Sequence, residues 1–180
     1  IQRQEPLQYY IINKPRGIIS TVSDPSGRPT VMQLVPTRAR VYPVGRLDRD
    51  AEGLVLMTNA GELANRIMHP RYRATKTYHV TLTQNIDRKD VRRLKKGIRI
   101  FGRLVVLDKV AVHTPEHVEI TLHEGRKHVV KLIFHKLGYA VARLKRTQIA
   151  NINLGTLPSG AYRELTRAEL LGLQRITQQA

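Results

Sequence analysis

Residues 45–70 read GRLDRDAEGLVLMTNAGELANRIMHP, and three kinds of segment succeed one another inside them. The first eight residues form a charged loop carrying Arg46, Asp48, Arg49, Asp50 and Glu52. An apolar, strand-like run over 53–58 follows, and then a helix over Gly61–Met68, preceded by Asn59 as a capping residue. The helix stops at His69 because the residue before a proline is pushed out of helical conformation. A second apolar run precedes the loop at 40–45, so the charges sit between two strands. Rigid strands holding an exposed polar loop are a common setting for catalytic side chains. On spacing alone the same five charges fit a surface ion-pair network. Two neighbouring carboxylates also fit glycoside hydrolysis, with Asp50 or Glu52 partnering Asp48, but that chemistry is set by a spatial separation.

Working outward, further strand-like runs fall at 8–13, 75–83, 104–112, 117–123 and 139–149, each rich in Val, Ile, Leu or Tyr. From Lys76 to Thr83 the residues alternate, with Tyr78, Val80 and Leu82 on one face and Thr77, His79, Thr81 and Thr83 on the other, which describes a half-buried strand. Asp87 is placed to cap a helix stapled by Ile86 and Val91. Thr166 and Glu169 form a capping box flanked by Leu165 and Leu170. Between Lys127 and Leu137, Val130, Ile133, Phe134 and Leu137 take the spacing of one buried helix face and leave Lys127, Lys131 and His135 on another. Strands in runs with irregularly interspersed helices predict an α+β fold: a mixed, mainly antiparallel sheet with flanking helices. No repeat or Pro/Gly-rich linker interrupts it. The expected organisation is one domain over 8–175, a polar linker over 1–7 and a tail over 176–180.

Composition narrows the partner. Thirty-one Lys and Arg against 14 Asp and Glu give a formal charge of +17, which disfavours compactness unless a polyanion is the usual partner. The charge is concentrated: eight Lys or Arg and one acid lie between Arg88 and Arg103, and seven with no acid between Gly125 and Gln148. Arg126, Lys127, Arg143, Lys145 and Arg146 of the second group are expected to track the phosphates of RNA or DNA, which gives affinity and salt dependence rather than sequence selection. There is no apolar run of about 18 residues and no signal-peptide pattern, so the expectation is no membrane and a cytoplasmic protein. With no Cys there is neither a disulfide nor a thiolate metal site. His69, His123, His128 and His135 are too scattered for ligand spacing, and no metal or other cofactor is expected.

Six segments, in order along the chain, then carry a specific resemblance. The 45–70 segment resembles the catalytic loop and following helix of the RsuA family of bacterial ribosomal RNA pseudouridine synthases. YYIINKPRGIIST at 9–21 and DPSGRPTVMQLVP at 24–36 are similar to its first segments, and KTYHV at 76–80 to its base-contacting strand. EGRKHVVKLIFHKLGYAVARLKRTQIANINL at 124–154 and GAYRELTRAEL at 160–170 are similar to its third motif and closing helix. Nearly the whole chain is covered.

The resemblance implies the pseudouridine synthase fold and isomerisation of uridine to pseudouridine in ribosomal RNA, with large-subunit RNA the expected substrate. It implies Asp48 as the catalytic carboxylate, acting as nucleophile or as base, and Lys131 as the basic residue that pairs with it. It further implies Tyr78 as the stacking partner of the base and Arg46 as the residue that helps hold the RNA open while the uridine is everted. A cofactor-free monomer is expected, with an S4-type RNA-binding module upstream of the linker. Val129 and Leu132 stand where family members often carry an amide residue and paired arginines, and Ala51 where a hydroxyl is usual; these departures bear on substrate identity before activity. The competing reading is a non-catalytic RNA-binding or ribosome-assembly protein. Joint retention of Asp48, Tyr78 and Lys131 separates the two, since phosphate binding needs no acid in a basic cleft.

Overall fold

The computed structural model describes residues 4–178, so the first three residues of the expected linker and the last two of the expected tail lie outside it. Eleven strands are formed among the described residues: β1 Tyr9–Lys14, β2 Tyr42–Pro43, β3 Glu52–Thr58, β4 Lys76–Leu82, β5 Ile98–Ile100, β6 Arg103–Val105, β7 Lys109–Thr114, β8 His117–Leu122, β9 Val141–Ile149, β10 Ile152–Asn153 and β11 Tyr162–Glu164. Four α-helices accompany them: α1 Gly61–Met68, α2 Arg88–Lys96, α3 Val129–Lys136 and α4 Arg167–Gln178.

The main sheet runs β11-β1-β3-β9-β4-β8-β7, and β5 and β6 form a separate hairpin. Every pairing between these strands is antiparallel except β3 with β9, where the parallel register covers only Glu52↔Lys145 and Gly53↔Arg146. The expected α+β class with a mixed, mainly antiparallel sheet is therefore the observed one.

Hydrophobic packing explains why β3 reads as a continuous apolar run. Val55 and Met57 face one core with Tyr78, Val80, Leu94, Ile133 and Phe134. Leu54 and Leu56 face a second core with Leu63, Ile67 and Leu173 from α1 and α4. A strand covered on both faces has no polar side to show. The alternation foreseen in β4 holds from Tyr78 to Leu82, with Tyr78, Val80 and Leu82 buried, but Thr77, expected on the other face, is buried as well. The capping box is present: Thr166 N–H donates to Glu169 Oε1 at 2.9 Å, and Glu169 N–H to Thr166 Oγ1 at 3.1 Å.

Several boundaries differ from the sequence expectation. The run at 104–112 divides between β6 and β7, which pair with different strands. The run at 40–45 shrinks to Tyr42–Pro43, because proline donates nothing to a ladder. Ile98 and Ile100 make a strand that the surrounding basic residues disguise. Asp87 sits at the start of α2 but makes no side-chain cap bond. Asn59 does not cap α1; its Oδ1 accepts from Gln8 N–H at 2.8 Å and its Nδ2 donates to the Pro6 carbonyl at 3.0 Å, so it ties the N-terminal segment down. The tail expected from 176 is partly structural: α4 continues to Gln178, and Thr177 is fully buried with its hydroxyl donating to the Leu173 carbonyl.

Candidate functional site

A cleft of about 590 Å³ opens over the seam between β3 and β9, lined by the 45–50 loop, β4, the 124–128 loop and the first turn of α3. Its charged lining comprises eight Lys or Arg (Arg28, Arg46, Arg49, Lys76, Arg126, Lys127, Lys131, Arg146) and three carboxylates (Asp48, Asp50, Glu124). Such an excess in a concave site concentrates polyanions.

The loop is held from below by Lys14. This residue is fully buried, and its ammonium donates to the carbonyls of Pro15 at 2.9 Å, Ile18 at 2.8 Å and Arg49 at 3.2 Å. Ser20 Oγ adds a bond to the Leu47 carbonyl at 2.9 Å and accepts from Leu47 N–H. Asp48 is thus presented on a loop whose backbone is clamped on both sides, which fixes where its carboxylate stands.

Three acids on this stretch take three different partners. Asp48 Oδ2 lies 2.7 Å from His128 Nδ1, and its side chain keeps 23% exposure. Asp50 Oδ2 accepts from Lys131 Nζ at 2.5 Å, and that hydrogen bond holds its carboxyl below the usual range. Glu52 is gripped by Arg143 through Nε at 2.6 Å and Nη2 at 2.9 Å, which also depresses its pKa. The expected Asp48–Lys131 pair is therefore not formed: Lys131 reaches further along the loop, to Asp50, and His128 takes its place beside Asp48. His128 adopts φ 60°, ψ 17° at the N-cap of α3, a left-handed conformation uncommon for a non-glycine residue. Backbone strain of this kind concentrates where a side chain has to be aimed. On the same geometry neither Asp50 nor Glu52 suits the general-acid half of a carboxylate-pair hydrolase. A general acid needs a raised pKa, whereas Asp50 and Glu52 are both depressed and engaged by cations.

Tyr78 belongs to the core and lines the cleft as well, ending the apolar row of β4 where the cavity begins. A β-bulge in β9 lies beside it, since Thr77 pairs with Gln148 but Tyr78 with Arg146. Bulges of this kind re-aim side chains.

The expected phosphate-tracking residues separate into three groups. Arg46 and Lys127 are exposed at the cleft mouth, as expected. Arg126 lines the cleft but is tied to Glu124 and donates to the Ile100 carbonyl at 3.2 Å. Arg143 and Lys145 project from the opposite side of β9 to Leu144 and Arg146 and do not line the cleft. Arg146, the most decided correction, is only 2% exposed, with Nε donating to the Leu54 carbonyl at 2.9 Å. At the centre of the sheet it is no surface phosphate hook.

Reading the sequence missed His128, Lys14 and Lys76. His128 had a signal, standing three residues before Lys131 in the same motif; Lys76 stands two before Tyr78 on one strand face. Lys14 had none, since its three acceptors are backbone carbonyls. Among the described residues no group of three His, Asp or Glu is arranged to hold a metal ion, and no helix is long and apolar enough to cross a membrane.

A mixed sheet with helices on both faces and a basic cleft around one clamped acidic loop defines an enzyme that works on nucleic acid. The chain belongs to the RNA pseudouridylate synthase family, whose family model matches residues 8–136. It is 42% identical over 172 residues to an RNA pseudouridine synthase of Aquifex aeolicus, covering 92% of this chain and 69% of that one. It is 39% identical over 186 residues to the ribosomal large subunit pseudouridine synthase B of Bacillus subtilis, covering 98% and 75%. A crystal structure of a pseudouridylate synthase superposes with a TM-score of 0.88 at 34% identity, covering 94% of this chain and 75% of that one.

Proposed function

We propose that this chain isomerises uridine to pseudouridine in ribosomal RNA, of the large subunit as the Bacillus relative's name indicates, with Asp48 as the essential carboxylate. One observation carries the assignment. Among the described residues, Asp48 is the cleft carboxylate without a Lys or Arg in ion-pair reach, whereas Asp50 and Glu124 are each engaged by one. An unclamped carboxylate retains lone pairs for chemistry, either attack at the sugar C1′ or removal of a sugar proton. His128 orients it. Lys131 acts at one remove, as a positioning residue that pins the loop through Asp50.

Tyr78 offers its ring to the everted base at the cleft wall, and Arg46 and Lys127 at the mouth meet the flanking phosphates. The apolar lining from Val44, Leu144 and Ile149 limits water around the detached base. The test is site mapping of pseudouridine in ribosomal RNA incubated with wild-type protein and with Asp48→Asn at matched RNA binding. The expected result is one or a few new pseudouridines with the wild type and none with the variant. Isomerisation by Asp48→Asn at the wild-type rate would overturn the assignment.

A further inference from the structure

The cleft holds a cation that the rest of the chain leaves unused. Lys76 opens β4 two residues before Tyr78, so the two side chains share a strand face. Its ammonium lies under the 124–126 loop, where a Cβ added to Gly125 would stand 3.6 Å from Nζ. Among the described residues no carboxylate pairs with Lys76. Its surroundings disfavour the charged form first through desolvation and then through Arg146, which is another cation. Arg146 lies across the ladder from Tyr78 and is buried. Its Nη2 is shielded from solvent and has no hydrogen-bond partner.

Burying an ammonium without an anion destabilises a fold, and a neighbouring guanidinium adds repulsion. Lys14, which is fully buried, is surrounded by three carbonyls; Lys76 is half-buried at the cleft wall, and its ammonium has no such partners. The pair stands beside Tyr78, an aromatic side chain of the cleft wall on which a base can stack.

We propose that Lys76, backed by Arg146, carries the negative charge that develops on the uracil as it leaves the sugar. The inference rests on the synthase reading above. When the C1′–N1 bond breaks, its electron pair stays on the base and spreads over N1, O2 and O4. Asp48 supplies the compensating pair at the sugar, by bonding to C1′ or by taking a sugar proton to leave a C1′–C2′ double bond. The base turns over Tyr78, C5 bonds to C1′, Asp48 is restored, the C5 hydrogen leaves as a proton and N1 gains one. Lys76 exchanges no electrons in this sequence; it supplies a fixed positive charge and a donor to a carbonyl oxygen. Ground-state uridine is neutral, so the interaction strengthens only as the bond breaks, and it acts on kcat rather than on affinity.

The test compares wild type, Lys76→Met and Lys76→Arg in single-turnover pseudouridine formation, with RNA affinity measured across a salt series. Expected for Lys76→Met is a kcat lower by about 10²-fold with unchanged affinity and salt slope. Lys76→Arg retains most of the rate. Desolvation holds the Lys76 ammonium down at about 8, so kcat/KM of the wild type falls above that pH, while Lys76→Arg loses this limb. A Lys76→Met variant that turns over at the wild-type rate overturns the inference and leaves the synthase reading intact. So does one whose loss lies in affinity, with a salt slope reduced by about one, which marks a phosphate contact. Absence of pseudouridine with the wild type overturns the synthase reading and this inference with it.

Discussion

Gly53 is the point at which β3 and β9 touch, and replacing it with alanine tests how the seam is held. Its φ is +108°, and an added Cβ would lie 2.1 Å from the Arg146 carbonyl oxygen and 2.9 Å from the Arg146 nitrogen. The obstacle is backbone at the centre of a sheet, so relief requires β9 to move away. Left-handed strain on a non-glycine residue costs about 1–3 kcal/mol, and overpacking into a fixed neighbour about 1–3 kcal/mol more. The sum, roughly 2–6 kcal/mol, is a large share of a typical total of about 5–15 kcal/mol. At about 2–4 °C per kcal/mol for a chain of this size, Gly53→Ala is expected to melt roughly 4–24 °C below the wild type. Gly138→Ala is the control. Gly138 has φ +90°, but a Cβ added there would meet nothing within 4 Å, so conformational strain alone applies, about 1 kcal/mol and a few degrees. Thermal unfolding followed by circular dichroism reads both variants. If Gly53→Ala melts as Gly138→Ala does, the seam does not depend on close backbone approach and the argument fails.

The hydroxyl of Tyr139 donates to the buried Asp90 Oδ2 at 2.6 Å and accepts from Asp87 N–H at 2.9 Å. Tyr139→Phe is expected to destabilise the fold by about 1–2 kcal/mol in urea titrations. That hydrogen bond holds the Asp90 pKa below its usual value. The contribution is therefore present above the unfolded carboxyl pKa and is lost as pH falls through the lower folded value, so the wild-type advantage is flat between about pH 5 and 8 and shrinks below about pH 4. Asp50→Asn removes the partner of Lys131 from a side chain that is 61% exposed. It is expected to change stability by no more than about 0.5 kcal/mol while slowing pseudouridine formation, which stopped-time assays at saturating RNA measure; an unchanged rate removes the positioning role of Lys131. His128→Gly relieves the left-handed backbone at φ 60°. Its melting temperature is expected to hold or rise and its turnover to fall, and a stability loss above about 1 kcal/mol would show that the His128 contact holds the fold rather than aiming Asp48.

Much of the fold was legible because local signals agreed with tertiary ones. The capping box at Thr166 and Glu169 formed as read, and the alternation of β4 named its buried face. The helix after β3 ended where His69 precedes Pro70. Partnerships between distant segments were another matter. Spacing placed Asp48 and Lys131 in motifs, but nothing local says that Lys131 reaches Asp50, because the outcome depends on how the 124–128 loop turns through a left-handed His128. Arg143, Leu144, Lys145 and Arg146 alternate in sequence, and which face meets the cleft depends on β9 lying between β3 and β4. That order sent Arg146 inward and Arg143 to Glu52. Ile98 and Ile100 escaped notice because the basic residues around them mask a short hairpin.

The brief parallel seam between β3 and β9 has a consequence for the order in which the molecule assembles. The strands β11, β1 and β3 lie on one side of it with Asp48, and β9, β4, β8 and β7 lie on the other with Tyr78 and the start of α3. Asp48 and His128 are 80 residues apart, Asp50 and Lys131 are 81, and the Arg146 bond to the Leu54 carbonyl spans 92. Contacts of such sequence separation close late, since loop entropy is lost before they repay it. The cleft exists only once the two sides have met across the seam. A chain in which that seam has not closed presents no assembled site to RNA, so the site depends on contacts between segments 80 or more residues apart.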